Sequence, residues 1–292
     1  MNALADRIKR VGLIGNSEKV SGAVAVRRAA SLIATAGRKI YSDPATMRLA
    51  RLKAVVCADA ATLARQVDLL VVFGGDGTML RVAREIAGSR TPILGINIGG
   101  LGFLTAVPSA NLPQALKCVW SGQFKFESRV LIQATGHCGG QPVNQTALND
   151  IVISRGIASR LIELDVSVDG DPLTRYRCDG LIVSSPTGST AYSLAAGGAV
   201  VFPTAEILAL TPICPHTLSN RSLIVPLTAT IEAKVISPAT ILSADGQVVS
   251  ELATGDKITI RRARRTVRLM HLAGSSFCEA LRCKLHWRGA SL

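Results

Sequence analysis

Aromatic side chains are scarce in this sequence, 4% of 292 residues against 48% hydrophobic overall, so Ala, Val, Leu and Ile carry the apolar content. A surface that stacks nucleic-acid bases is therefore not expected. Long apolar runs are missing as well: no stretch reaches the roughly 18 residues that cross a bilayer as a helix. The basic start MNALADRIKRVGLIGNSEK holds an apolar run too short for a signal peptide, so neither export nor membrane association is expected. Cysteine is present at seven positions (57, 118, 138, 178, 214, 278, 283), an odd number with no C-x-x-C and no framework spacing. That pattern fits free thiols in a reducing compartment, and the cytoplasm is the expected location.

Acid is the minority charge, 20 Asp and Glu against 33 Lys and Arg, and the resulting +13 points to an anionic partner. The densest basic segment is KITIRRARRTVRLMH, residues 257–271. It reads as a solvated strand face, as a funnel for phosphorylated small molecules, or, last, as a nucleic-acid surface without interleaved aromatics. Several motifs are also absent. The chain has no G-x-x-x-x-G-K-[ST], its IGGLGFLT (98–105) fails G-x-G-x-x-G, and it lacks H-E-x-x-H and G-x-S-x-G. A P-loop, an ordinary dinucleotide fingerprint, a metal site built from a side-chain cluster and a serine hydrolase are excluded together.

At this length two domains are expected. RVGLIG (10–15) reads as a strand and GAVAVRRAASLIATAGRK (22–39) as a helix with Gly37 near its stop. RKIYS, DLLVVF and TPILGINIGG follow as strands with helical stretches between them, which implies a parallel, doubly wound sheet. From about Phe124 the pattern turns to period-two alternation, in VLIQATGH, LIELDVSVDGDP, GLIVSS, TATIEAKVIS, QVVSELATGDKITIRR and TVRLMHLA. The expectation is an α/β domain over 1–123, joined by a helical tail within 274–292, and a β-rich domain over 124–273.

The chemistry concentrates in glycine turns. FGGDGTML (73–80) closes the apolar run DLLVVF, placing Gly74, Gly75 and Gly77 where a helix begins. Their bare backbone can approach phosphate oxygens, and the helix start favours anions. Thr78 caps that helix or contacts a phosphate. Asp76 repels a phosphate unless it has a task there: it holds Mg²⁺, accepts a proton from an attacking hydroxyl, or only caps a turn. ALNDIVISRG (147–156) sets Asn149 and Asp150 at the head of an apolar strand, where an amide and a carboxylate can grip the two hydroxyls of a ribose. CDGLIVSSPTGSTAYSLAAGG (178–198) places Asp179 before a strand and Tyr192 in a short helix beyond a polar loop. Both stretches also read as turn chemistry.

In order, GGDGTML, GINIGGLGFLT, ALNDIVI, DGLIVSSPTGSTAYSLAAGG, PHTLSNRSLIVP and ADGQ closely resemble the NAD kinases, over about residues 10 to 290. The resemblance implies a Rossmann-like parallel-sheet domain, a sandwich-like β-rich domain and a ligand cleft between them. It also implies transfer of the γ-phosphoryl group of ATP, with Mg²⁺ or another divalent metal, to the 2′-hydroxyl of the adenosine ribose of NAD, giving NADP. Carried onto this chain, Asp76 becomes the proton acceptor, and Gly74, Gly75, Gly77 and Thr78 shape the phosphate turn. Phe103 lies against adenine, Asn149 and Asp150 hold ribose hydroxyls, and Asp179, Thr190, Ala191, Tyr192, Ser193 and Ala195 line the dinucleotide site. Arg160 and Arg177 lie where many members carry basic residues near the ligand, and Gln247 matches the family's D-G-Q. Asp150 stands where many relatives have Glu, and Ala195 where they often have Ser, which removes a hydroxyl contact. A homo-oligomer, dimer or tetramer, is expected on the same ground. The rival readings are a lipid kinase that shares G-G-D-G and a non-catalytic dinucleotide sensor.

Overall fold

A computed structural model describes residues 5–16, 20–100, 102–105, 107–156, 161–217 and 219–287. The chain divides into two compact units, Met1–Ser128 with Val267–Leu292, and Arg129–Thr266.

In the first unit the strands are β1 (Arg10–Gly15), β2 (Lys39–Ser42), β3 (Val55–Val56), β4 (Leu69–Gly74), β5 (Ile93–Asn97) and β6 (Val107–Pro108). The helices between them are α1 (Val20–Thr35), α2 (Pro44–Ala50), α3 (Ala60–Gln66), α4 (Asp76–Glu85) and α5 (Leu112–Trp120). The strands pair in parallel in the order β5, β4, β1, β2, β3, with β6 beside β5. Every residue of β4 and β5 is buried, which is why both read as unbroken apolar runs rather than as alternation. Local chemistry starts the short helices: the side chains of Asp43 and Asp59 accept from the amides of Thr46 and Thr62, and Pro44 opens α2. Helix α4 turns Met79, Leu80, Val82 and Ala83 inward. Chain order reverses between β1 and β4, so the glycine turn after β4 lies at the switch point where open α/β sheets take ligands, beyond the carboxyl ends of the strands.

The second unit is antiparallel. Its strands are β7 (Phe124–Cys138), β8 (Gln141–Ala147), β9 (Asp150–Arg155), β10 (Ile162–Val168), β11 (Asp171–Cys178), β12 (Gly180–Ser184), β13 (Ile207–Ile213), β14 (Leu223–Pro226), β15 (Ile231–Val235), β16 (Thr240–Ala244), β17 (Gln247–Leu252) and β18 (Lys257–Leu272). One sheet runs β14, β13, β12, β9, β16, β17. A second set pairs β11, β10, β15 and β18 in order. Ile151, Leu181 and Leu210 from the first and Leu164, Ile231 and Ile260 from the second share one apolar core, a sandwich arrangement. Between β12 and β13 lies the short helix α6 (Tyr192–Ala195). In the first unit, Leu269 near the end of β18 pairs in parallel with Ile93, and α7 (Phe277–Lys284) follows, capped by Ser276. The basic segment read as separate runs is thus a single strand, with Arg261, Arg262, Arg264 and Arg265 exposed and Ile258, Ile260, Ala263 and Val267 buried.

Candidate functional site

Asp76 is the first residue of α4, and both carboxylate oxygens are engaged. The Phe103 amide donates to Oδ2 at 2.8 Å, while the Leu104 amide (3.1 Å), the Thr105 amide (3.3 Å) and the Thr105 hydroxyl (3.3 Å) donate to Oδ1. The carboxylate therefore ties the glycine turn to the backbone beside Phe103. Asn97, not singled out from the sequence, completes this arrangement: buried at the end of β5, it donates to the Gly100 carbonyl (2.7 Å) and the Thr105 hydroxyl (2.8 Å) and accepts from the Gly99 amide (2.7 Å). The signal was the polar residue that ends the buried run ILGIN.

The glycines of the turn are not equivalent. A Cβ on Gly74 would collide with the Thr78 side chain, whereas one on Gly75 or Gly77 meets nothing within 4 Å. No side chain caps α4, and while the Thr78 amide donates to the Gly75 carbonyl (3.1 Å), the Asp76 and Gly77 amides of the first turn stay available to an anion above Gly75 and Gly77. A Cβ on Gly102 would overlap the Asp76 carboxylate and lie 2.6 Å from the Thr105 hydroxyl. Gly102→Ala is therefore expected to lower stability in urea unfolding by about 1–3 kcal/mol through overpacking. Gly77→Ala is expected to leave stability within about 1 kcal/mol while raising the KM for ATP. A fully stable Gly102→Ala protein would show that the Asp76 contact is dispensable.

Phe103 packs against Phe277 of α7, ring centroids 6.3 Å apart, with the Lys284 ammonium 5.7 Å from its ring centre. One side of the ring predicted to meet adenine is thus already covered.

In the second unit, Asn149 is half-buried and Asp150 is 4% exposed at the head of β9. Asp245, another residue the sequence reading passed over, fixes them: its carboxylate accepts from the amides of Leu148 (3.1 Å), Asn149 (2.7 Å) and Asp150 (3.4 Å). It can do so because Asp245 and Gly246 form the tight turn between β16 and β17 with φ of 48° and 76°, the left-handed pair that a two-residue hairpin requires. Burial first, and the Asp245 charge second, push the Asp150 carboxyl up to about 7. Neither the Asn149 side-chain amide nor the Asp150 carboxylate bonds to another side chain among the described residues.

The loop after β12 packs onto the same backbone. Ser185 donates its amide to the Asn149 carbonyl (2.8 Å), and a Cβ on Gly188 would collide with that carbonyl. Beyond it Thr190 is half-buried, its hydroxyl 3.3 Å from the Thr187 carbonyl, Ala191 is partly exposed, and Tyr192 and Ala195 are exposed. Ser193 differs, since it is fully buried with its hydroxyl 3.0 Å from that of Thr211, so it shapes the loop from inside. Asp179 pairs with Arg155 (3.2 Å), a partner not anticipated. Arg177 is exposed, 3.7 Å from Glu163. Gln247 opens β17 directly after the Asp245–Gly246 turn. Arg160 lies outside the described residues. Within the second unit, Asn149, Asp150, Gln247 and the Thr190–Ala195 loop are thus gathered around the head of β9, whereas Asp179 and Arg177 lie toward the opposite end of the sheet strands, near Arg155 and Ile213.

Two family models match this chain: ATP-NAD kinase N-terminal domain over residues 11–124 and ATP-NAD kinase C-terminal domain over residues 148–272. An NAD kinase of Syntrophotalea carbinolica is 44% identical over 232 residues, 78% of this chain and 81% of that protein. An NAD kinase of Cupriavidus pinatubonensis is 38% identical over 289 residues, 98% of this chain and 94% of that protein. Among solved structures, yeast NADH kinase complexed with NADH matches with a TM-score of 0.89 and 26% identity, covering 98% of this chain and 90% of that one. An NAD kinase from Archaeoglobus fulgidus in complex with ATP matches with a TM-score of 0.76 and 25% identity, covering 96% of this chain and all of that one. With both halves matched and relatives this similar along nearly the whole chain, the protein belongs to the ATP-NAD kinase family.

Proposed function

We propose that the chain, as a member of this family, transfers the γ-phosphoryl group of ATP to the 2′-hydroxyl of the adenosine ribose of NAD, giving NADP, with Asp76 as proton acceptor. The observation that carries the reading is the glycine turn: a carboxylate at the switch point of a parallel sheet, beside an uncapped helix start and open space over Gly75 and Gly77. Phosphoryl transfer runs through a loose transition state in which positioning and charge neutralisation dominate. The α4 amides and the glycines serve those two needs, and Thr78 supplies a hydroxyl in the same turn. Asn149 and Asp150 hold the ribose hydroxyls, a carboxylate accepting from a diol as an amide completes the set. Thr190, Tyr192 and Gln247 border that position. The lipid-kinase and sensor readings are not favoured, because the family match runs through both halves and Asp76 is retained.

A divalent ion enters with ATP. Mg²⁺ in such a site is carried mainly by phosphates and water, with Asp76 the carboxylate of the turn. When bound, that ion neutralises charge developing between the β- and γ-phosphates. The proposed compartment is the cytoplasm, supported by seven free cysteines, and no described helix is long and apolar enough to cross a membrane. A homo-oligomer, dimer or tetramer, is proposed on the ground of the family.

A coupled assay decides the activity. ATP, Mg²⁺ and NAD⁺ are expected to yield NADP⁺, read by an NADP-specific dehydrogenase, and absence of product with every nucleoside triphosphate and with polyphosphate would overturn the reading.

A further inference from the structure

The opposite edge of the same parallel sheet carries a concavity of about 840 Å³, lined by Arg7, Lys9, Arg10, Arg38 and Lys39 together with Tyr41, Asp6 and Asp68. Strand register builds it. β1 and β2 begin side by side, with Arg10 paired to Lys39 and the Lys39 amide donating to the Lys9 carbonyl at 2.9 Å. Parallel pairing thus sets like charges next to one another, which is destabilising unless something anionic answers them.

The protein's own carboxylates answer only part. Asp68 is committed to the Arg10 guanidinium (2.6 Å) and to the amides of Lys9 (3.0 Å) and Arg10 (2.8 Å). Arg38 lies 3.8 Å over the Trp120 ring and donates to the carbonyls of Ile8 and Ala36, both at 2.9 Å. Its pKa is lowered by burial, against which the charge of Asp6 acts. Asp6 and Asp68 therefore each face a guanidinium already. Arg7, Lys9 and Lys39 are exposed cations with no ion pair among the described residues.

We propose that this amino-terminal edge is an accessory site for a phosphoanhydride chain, either inorganic or the phosphate tail of a nucleotide. Three uncompensated cations around one concavity match a linear polyanion better than a single carboxylate, and the partly buried Tyr41 ring offers a face to a base where a nucleotide brings one. β4 alone separates this edge from the glycine turn by about 20 Å, so an occupant here does not compete with ATP for the turn.

Isothermal titration of the whole protein with inorganic tripolyphosphate, at low salt and without NAD, tests it. Two sites are expected. Lys9→Ala/Lys39→Ala should weaken one of them at least tenfold while NADP⁺ formation persists, and Arg264→Ala/Arg265→Ala, which removes the same charge elsewhere, should keep both. A parallel titration with ATP separates the two sources: Tyr41→Leu weakens the accessory site for ATP alone if a nucleotide is the ligand, and for neither probe if the phosphate chain suffices. No site in the unsubstituted protein that Lys9→Ala/Lys39→Ala weakens, or equal weakening by the two double substitutions, overturns the proposal.

Discussion

Asp76→Asn is expected to lower the rate of NADP⁺ formation by about 10²–10⁴-fold, the contribution of a positioned proton acceptor. The arrangement around the carboxylate sharpens that expectation. Three backbone amides and a hydroxyl converge on its two oxygens from Phe103, Leu104 and Thr105. Phosphoryl transfer asks only a modest contribution of its proton acceptor, because positioning and charge neutralisation dominate a loose transition state. Asparagine keeps one acceptor oxygen but turns an NH₂ toward backbone N–H donors, and a lost bond to a buried donor costs about 1–3 kcal/mol. The substitution therefore acts on chemistry and on the segment that carries Phe103. Two readouts separate them. A proton acceptor gives a fall in kcat with the Kd for NAD little changed. A mere anchor gives parallel losses of NAD affinity and rate. Unchanged turnover would remove Asp76 from the reaction.

Residues that act through local pattern were legible in the sequence. The run DLLVVF before three glycines could only be a buried strand entering a turn, and the structure has β4, the turn and α4 in that order. The parallel first half and strand-rich second half were legible for the same reason, a change of hydrophobic period near residue 124. Partners distant in sequence were not. Asp245 lies 96 positions from the Asn149 amide it holds, and a D-G pair announces a turn without naming what its carboxylate will meet. The donors that hold Asp76, 27 to 29 residues away, were not legible, because three of the four are backbone amides that leave no mark in the side-chain pattern. Strands β8 and β11, QPVNQTA and DPLTRYRC, were missed because most of their residues are exposed, so pairing rather than burial makes them strands. The two-residue β3, both valines exposed, was unreadable on the same ground.

The second large effect concerns Asp150, and it is a stability effect with a definite sign. A carboxyl that titrates near 3.8 when exposed is pushed up to about 7 here, mainly by burial and further by the neighbouring Asp245 charge. The folded chain therefore binds a proton at Asp150 between about pH 4 and 7 that the unfolded chain has released, and stability must fall as pH rises through that window. A separation of about three pKa units corresponds to roughly 4 kcal/mol. Asp150→Asn removes the titration while keeping the shape. Whatever fixed penalty the amide carries cancels when two pH values are compared, so the stability of the Asn protein relative to the original should increase by up to about 4 kcal/mol from pH 4 to pH 8, measured by urea unfolding. Ligand binding should move the other way. The ionised carboxylate accepts hydroxyl hydrogen bonds that a neutral amide makes less well, a difference of about 0.5–2 kcal/mol, so NAD affinity at pH 8 should fall roughly 2- to 30-fold. In the unsubstituted protein affinity should rise as pH passes 7, and in the Asn protein it should be flat. A buried acid held at such a disadvantage is consistent with the ribose contact proposed for Asp150. A stability gap that does not vary with pH would mean that Asp150 is solvated in the folded chain, and its assignment to the ribose would lose its physical basis.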